Sequence, residues 1–215
     1  MDGSGGQSGV PLRLGLLISG GGSTMVNLAE HIARGELPAQ IVSVISSRHA
    51  GGVRRAEELG LAAEVIQRTA HESTESFSAD VWDVLRAAEV DLVCMGGFLS
   101  LLAIPEEYLG KVMNVHPALL PSFGGEGMWG RHVHEAVLGA GCKVSGCTVH
   151  FADEDYDRGP IIIQRSCVVE EEDTPDTLAA RVIAEERIAY PEAVRLFAAG
   201  RLRIEEGRVR VMGAG

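Results

Sequence analysis

Short apolar runs alternate with segments of helical periodicity along most of this chain, and that alternation restricts its fold more than any other feature. LRLGLLI (12–18) ends in the glycine-rich SGGGST (19–24), which opens a segment reaching residue 37 with Met25, Val26, Leu28, Ala29 and Ile32 at helical spacing. IVSVIS (41–46) predicts a second strand, GGVRRAEELG (51–60) a short helix ending at Gly60, and AAEVIQ (62–67) a third strand. Residues 76–88 carry Phe77, Val81, Trp82 and Leu85 on one helical face, DLVCMGG (91–97) reads as a strand buried on both sides, and KVMNVH (111–116) supplies another. The pattern predicts an α/β fold of one Rossmann-like domain, a mostly parallel central sheet with helices on both faces and right-handed crossovers. Further on, KVSGCTVHFA (143–152) and IIIQRSCVV (161–169) predict two strands joined by the acidic loop DEDYDRGP. Residues 174–200 predict a long helix with Thr174 as N-cap and Pro175 at its first position, and 201–211 a terminal hairpin around Gly207. No internal repeat is visible.

Composition bounds the function. At 215 residues the chain suits one domain of ordinary size, read here as residues 12–215 behind a flexible tail, 1–11. Hydrophobic residues make up 46% and charged residues 23%, with no apolar run long enough to cross a bilayer, so no membrane partner is expected. MDGSGGQSGV has neither the basic nor the apolar region of a secretory signal, which predicts a cytoplasmic protein. Cys94, Cys142, Cys147 and Cys167 lack the paired spacing of a zinc site or redox dithiol and read as free thiols. The net charge of −11 argues against a sequence-independent grip on nucleic acid, which needs clustered Lys and Arg, and favours small-molecule substrates. A monomer or homodimer is expected.

Ligands of open α/β sheets bind beyond the carboxyl ends of the strands. Three predicted strands deliver polar or glycine-rich tips there: SGGGST, the residues after Gly97, and Asn114 with His116. A glycine-rich turn entering a helix can offer backbone N–H groups to a phosphate. SGGGST matches neither the dinucleotide fingerprint nor the lysine-bearing P-loop, so a monophosphate is the better ligand, and a plain strand-to-helix turn is equally compatible with these residues. A His held near an amide and a carboxylate can shuttle a proton while the amide donates to a developing oxyanion, the parts of acyl transfer without a covalent nucleophile. The alternative is that Asn114 and His116 cap the strand and bond neighbouring backbone. Pro117 and Pro121, which stiffen the following segment, favour a functional reading.

These residues carry a resemblance. LLISGGGST, MGGFLSLL, NVHPALLPSF, HFADEDYDRGPIIIQ and AEERIAYPEAV stand in the order found in folate-dependent phosphoribosylglycinamide formyltransferases of purine biosynthesis, and the chain resembles that family from about residue 14 to about residue 202. The resemblance implies transfer of the formyl group of 10-formyltetrahydrofolate to the glycinamide amine of 5′-phosphoribosylglycinamide, with no metal required. It implies that Asn114 polarises the formyl oxygen, that His116 stabilises the tetrahedral intermediate and passes protons, and that Asp157 favours the charged form of His116. It also implies phosphate binding by Gly22, Ser23 and Thr24 and a contact from Glu186 to the glycinamide part. The folate would be held by Leu99, Ser100, Leu101, Leu102 and Asn114 and by the loop residues Asp153, Glu154, Asp155 and Tyr156. Another formyltransferase of this type, acting on a sugar amine or tRNA, is the alternative enzyme; a non-catalytic folate or nucleotide module is the alternative outside enzymes.

Three departures from the family stand out. Thr24 replaces a common Asn, Thr74 and Ser100 stand near positions where some relatives carry Arg, and the stretch FGGEGMWGRHVHEAV is longer than in the shortest relatives. Met128 and Trp129 in that glycine-rich stretch read either as part of a lid or as groups packed on the domain or on a second subunit. His132 and His134, two apart on a helix, cannot share a metal and read as surface histidines. His150 is expected either to support the site or simply to bond backbone, and 170–173 to form a solvated acidic turn.

Overall fold

The computed structural model describes residues 10–213; the expected tail falls mostly outside them. Seven strands form one sheet in the order β3-β2-β1-β4-β5-β6-β7, with β1 at Leu12–Ile18, β2 at Ala39–Ser46, β3 at Ala63–Val65, β4 at Leu92–Met95, β5 at Val112–His116, β6 at Val144–Phe151 and β7 at Ile161–Val168. The first five are parallel; β6 and β7 run antiparallel to their neighbours. Helices α1 (Ser23–Ala33), α2 (Gly51–Glu58), α3 (Thr74–Ala87), α4 (Arg131–Gly139) and α5 (Pro175–Ala198) cover the sheet, and β8 (Leu202–Glu205) pairs with β9 (Arg208–Val211) in a separate hairpin.

Alternation along the strands feeds two cores, as a sheet covered on both faces requires. Leu14, Leu16 and Ile18 of β1 join Met25 and Leu28 of α1 and Leu178, Val182, Tyr190 and Val194 of α5. Leu17 turns the other way, toward Phe77, Val81, Trp82 and Leu85 of α3. On β5, Met113 and Val115 belong to the first core and Val112 to the second. The two-residue period therefore sends Asn114 and His116 to the same side of the strand.

Element ends depart from the sequence pattern where capping outweighs apolar spacing. α3 starts at Thr74 because Ser73 and Ser76 form a reciprocal capping box ahead of the first buried residue, Phe77. α1 stops at Ala33, four residues early, where Gly35 takes a positive φ of 71°. Thr174 caps α5 with Pro175 behind it, as expected. The acidic turn before α5 is not fully solvated: the Asp173 side chain is 3% exposed and accepts hydrogen bonds from Arg181, Thr177 and the Glu170 N–H.

Chain order reverses between β1 and β4, so the crevice at that switch point opens between their carboxyl ends. β1 ends into Ser19 and the glycine turn, β4 into Gly96 and Gly97, and β5 into Asn114 and His116 beside them. Ser19 ties two of these tips together: its hydroxyl accepts from the Leu99 N–H at 3.0 Å and pairs with the Ser47 hydroxyl at 2.6 Å.

Candidate active site

A cavity of about 710 Å³ lies over these strand ends. Its floor and one end come from the turn 20–24, which leads into α1. Gly22 occupies the N-cap position with φ 69° and packs so near α2 that a Cβ there would stand 3.3 Å from the Gly52 Cα. No side chain caps α1, which leaves the N–H groups of its first turn directed at the cavity with the positive end of the helix dipole. Gly22, Ser23 and Thr24 thus all line the cavity, and a helix N-terminus of this kind is able to take an anion.

At the other end, Asp157 gathers four groups. Its Oδ2 lies 3.2 Å from His116 Nδ1 and accepts from the Gly125 N–H at 3.0 Å; its Oδ1 lies 3.6 Å from His150 Nε2 and 3.5 Å from Asn114 Nδ2. Burial would push the Asp157 carboxyl up, but hydrogen bonds from the two histidines, the His116 charge and the Gly125 N–H together outweigh it and hold the group well below the usual carboxylate range. Asp157 has a positive φ of 57°, a strained conformation for a residue with a Cβ. The loop is held in place by Gly159, where a Cβ would collide with the Phe151 carbonyl, and by the Phe151 N–H donating to the Pro160 carbonyl at 2.9 Å. That close approach is the physical content of the Asp-Arg-Gly-Pro sequence.

His116 is buried and faces an acceptor at each ring nitrogen, since Nε2 lies 2.7 Å from the Phe123 carbonyl. Only the doubly protonated imidazolium satisfies both. His150 does both things expected of it as alternatives. Its Nδ1 lies 2.8 Å from the Phe151 carbonyl, and its Nε2 reaches the site, 3.3 Å from Asn114 Nδ2 and 3.6 Å from Asp157 Oδ1. The segment after His116 is fixed by Thr148, whose hydroxyl donates to the Ala118 carbonyl and accepts from the Leu120 N–H, with Gln164 bonding the Leu120 carbonyl.

Glu186, on α5, faces the cavity and meets no hydrogen-bond donor among the described residues. Burial pushes its carboxyl up to about 7, against the pull of the His116 charge. An amine entering the cavity would be its natural partner.

The residues expected to hold a folate divide. Ser100, Leu101, Leu102, Asn114, Asp153, Asp155 and Tyr156 line a narrow recess beside the cavity together with Phe98 and Ile104. Leu99 faces the main cavity instead, and Glu154 is exposed and lines neither space. The expectation of two surface histidines holds for His132 and fails for His134. α4 packs on α5, so its inward face, Val133, His134 and Val137, is buried, and two residues of separation put His132 outside. No group of three or more His, Cys, Asp or Glu side chains able to share a metal occurs among the described residues.

The formyl transferase family model matches residues 12–194, which span both the glycine turn and Glu186. The chain belongs to that family. Among solved formyl transferases, glycinamide ribonucleotide transformylase 1 of Symbiobacterium toebii is 40% identical, with a TM-score of 0.89 over 96% of each chain. Phosphoribosylglycinamide formyltransferase of Anaplasma phagocytophilum is 36% identical, with a TM-score of 0.83 over 95% of this chain and 96% of that one. The chloroplastic phosphoribosylglycinamide formyltransferase of Arabidopsis thaliana is 36% identical over 201 residues, 92% of this chain and 69% of that protein. The trifunctional purine biosynthetic protein adenosine-3 of Bos taurus is 39% identical over 201 residues, and there this chain spans only 19% of the relative's length. No helix among the described residues is long and apolar enough to cross a membrane.

Proposed function

We propose that this formyl transferase moves the formyl group of 10-formyltetrahydrofolate to the glycinamide amine of 5′-phosphoribosylglycinamide. The observation that carries the reading is the meeting, in one cavity, of an uncapped helix N-terminus suited to a phosphate, an unpaired carboxylate suited to an amine, and the Asn114–His116–Asp157 group between them. The ribonucleotide would place its phosphate on Gly22, Ser23 and Thr24 and its amine by Glu186. The donor would set its pterin against the apolar walls of Phe98, Leu101, Leu102 and Ile104 with polar edges toward Ser100, Asp153 and Asp155, which brings the formyl group to Asn114.

The amine nitrogen attacks the formyl carbon, and the carbonyl oxygen becomes an oxyanion. Asn114 donates to it, and the His116 imidazolium, hydrogen-bonded to Asp157, stabilises it. The bond from carbon to N10 then breaks, and the proton lost by the attacking amine is balanced by one gained at N10, giving formylglycinamide ribonucleotide and tetrahydrofolate. The donor is already activated, so the chemistry needs neither ATP nor a metal.

Incubation with 10-formyltetrahydrofolate and phosphoribosylglycinamide should release tetrahydrofolate without ATP or added metal, and Asp157→Asn should lower kcat at neutral pH by roughly 100-fold or more. Transfer only to a sugar amine, to tRNA or to water would overturn the assignment of acceptor.

A further inference from the structure

His134 is a polar group of the cavity to which the proposed chemistry gives no task. It sits on the inward face of α4, 4% exposed, and lines the same cavity as His116 and Glu186. Its Nδ1 is buried and meets no protein donor or acceptor among the described residues; Nε2 is not in that condition. An unpaired buried polar atom is costly, and an apolar side chain between Val133 and Val137 would pack α4 on α5 without that cost. Burial first, and the His116 charge second, push the His134 pKa below its ordinary value, so the ring is neutral and carries one proton. An N–H is more costly to leave unpaired than a lone pair, which puts the proton on Nε2 and makes that edge a donor.

We infer that His134 is a positioning residue for the acceptor, its Nε2–H donating to an oxygen of the phosphoribosyl part. The placement selects this half of the reaction. His134 shares its wall with Ile183 and Glu186 of α5, in the cavity that contains the turn 20–24, and takes no part in the recess lined by Ser100, Leu102 and Asp155. A neutral donor also suits a site where His116 already carries charge, because a second cation there would meet repulsion.

The inference rests on the acceptor being a phosphoribosyl amine, and two variants test it. His134→Phe keeps the ring volume and removes the donor; His134→Gln keeps a donor near the Nε2 position. The Phe variant should raise KM for the ribonucleotide roughly tenfold, with kcat and the donor's KM within about twofold, and the Gln variant should recover most of the loss. Ribose 5-phosphate binding, followed calorimetrically, should weaken in parallel. An unchanged ribonucleotide KM in His134→Phe, an equal rise in both KM values, or a Gln variant no better than Phe would overturn the role. Should the wild-type protein not formylate phosphoribosylglycinamide at all, the proposed function fails instead, and ribose 5-phosphate binding by the same variants still decides whether His134 contacts the sugar phosphate.

Discussion

Glu186 stands where its charge is costly, and that cost is measurable. An unfolded Glu ionises near 4.5, whereas in the folded protein the group holds its proton to about 7. Between those values the folded state binds more protons than the unfolded one, so stability falls as pH rises, and the full cost is present above about 7. Glu186→Gln removes the ionisation. The variant should therefore match the wild type at about pH 4 and exceed it by on the order of 1–3 kcal/mol at about pH 8.5, read by denaturant unfolding, while its KM for the ribonucleotide rises. A variant less stable than wild type at the higher pH would show that the carboxylate is paired rather than held ready for substrate. Asp157 shows the opposite economy: its charge is compensated by two histidines and an N–H, and its strain is confined to one backbone torsion. The Asn-x-His and Asp-x-Gly-Pro patterns are legible in the sequence because strand alternation and a glycine-dependent close approach dictate them. The orphaned Nδ1 of His134 is not, because a histidine two residues from another shows only that one of them faces inward, and helix packing decides which.

The segment 123–130 is tied to the reacting group at its start and to α5 at its end. The Phe123 carbonyl, from a residue with a positive φ of 56°, holds His116 Nε2, and the Gly125 N–H holds Asp157. Just beyond it, Arg131 bonds Asp176 at 2.7 Å and Glu135 at 2.8 Å. Between these ties Trp129 is 49% exposed, lines the cavity and meets the His132 ring edge-on with centroids 4.9 Å apart. A half-exposed indole suits a lid or a contact with a second subunit better than packing on the body of the domain. For His116 to meet substrate as proposed, its Nε2 must leave the Phe123 carbonyl, and a movement of the segment would release it. The indole emission of Trp129 should therefore respond to ribonucleotide or to a folate analogue, and Trp129→Ala should raise donor hydrolysis relative to transfer several-fold as water enters. A mutant with unaltered partitioning, together with an indole signal blind to both ligands, would confine Trp129 to a structural role.

The whole site is assembled from residues far apart in sequence, from the glycine turn at 20–24 to Glu186, and the sheet is what brings them together. The parallel half was readable, since buried runs alternating with amphipathic helices permit little else. The direction of β6 and β7 was not stated by any apolar pattern; a hairpin and a crossover differ in what lies between the strands, and here a nine-residue loop, 152–160, acidic and without helical periodicity, joins them. That antiparallel turn is what carries Asp157 back over the tip of β5. On the opposite side, Tyr190 of α5 closes the structure: fully buried, its hydroxyl lies 3.0 Å from both the Met95 and Met113 carbonyls, one on β4 and one on β5. Those strands end in Gly96 and in Asn114 with His116, so one phenol fixes the spacing of two walls of the cavity. Tyr190→Phe keeps the ring and removes the single O–H that the two buried carbonyls share. It should cost about 1–3 kcal/mol, lower Tm by about 3–8 °C, and reduce kcat more than either KM, because the strand tips that define the transition-state contacts lose their common tie. Calorimetry and steady-state kinetics on the same preparation check both halves: a lowered Tm with unchanged kcat would limit Tyr190 to stability, and an unchanged Tm would mean the two carbonyls find other donors.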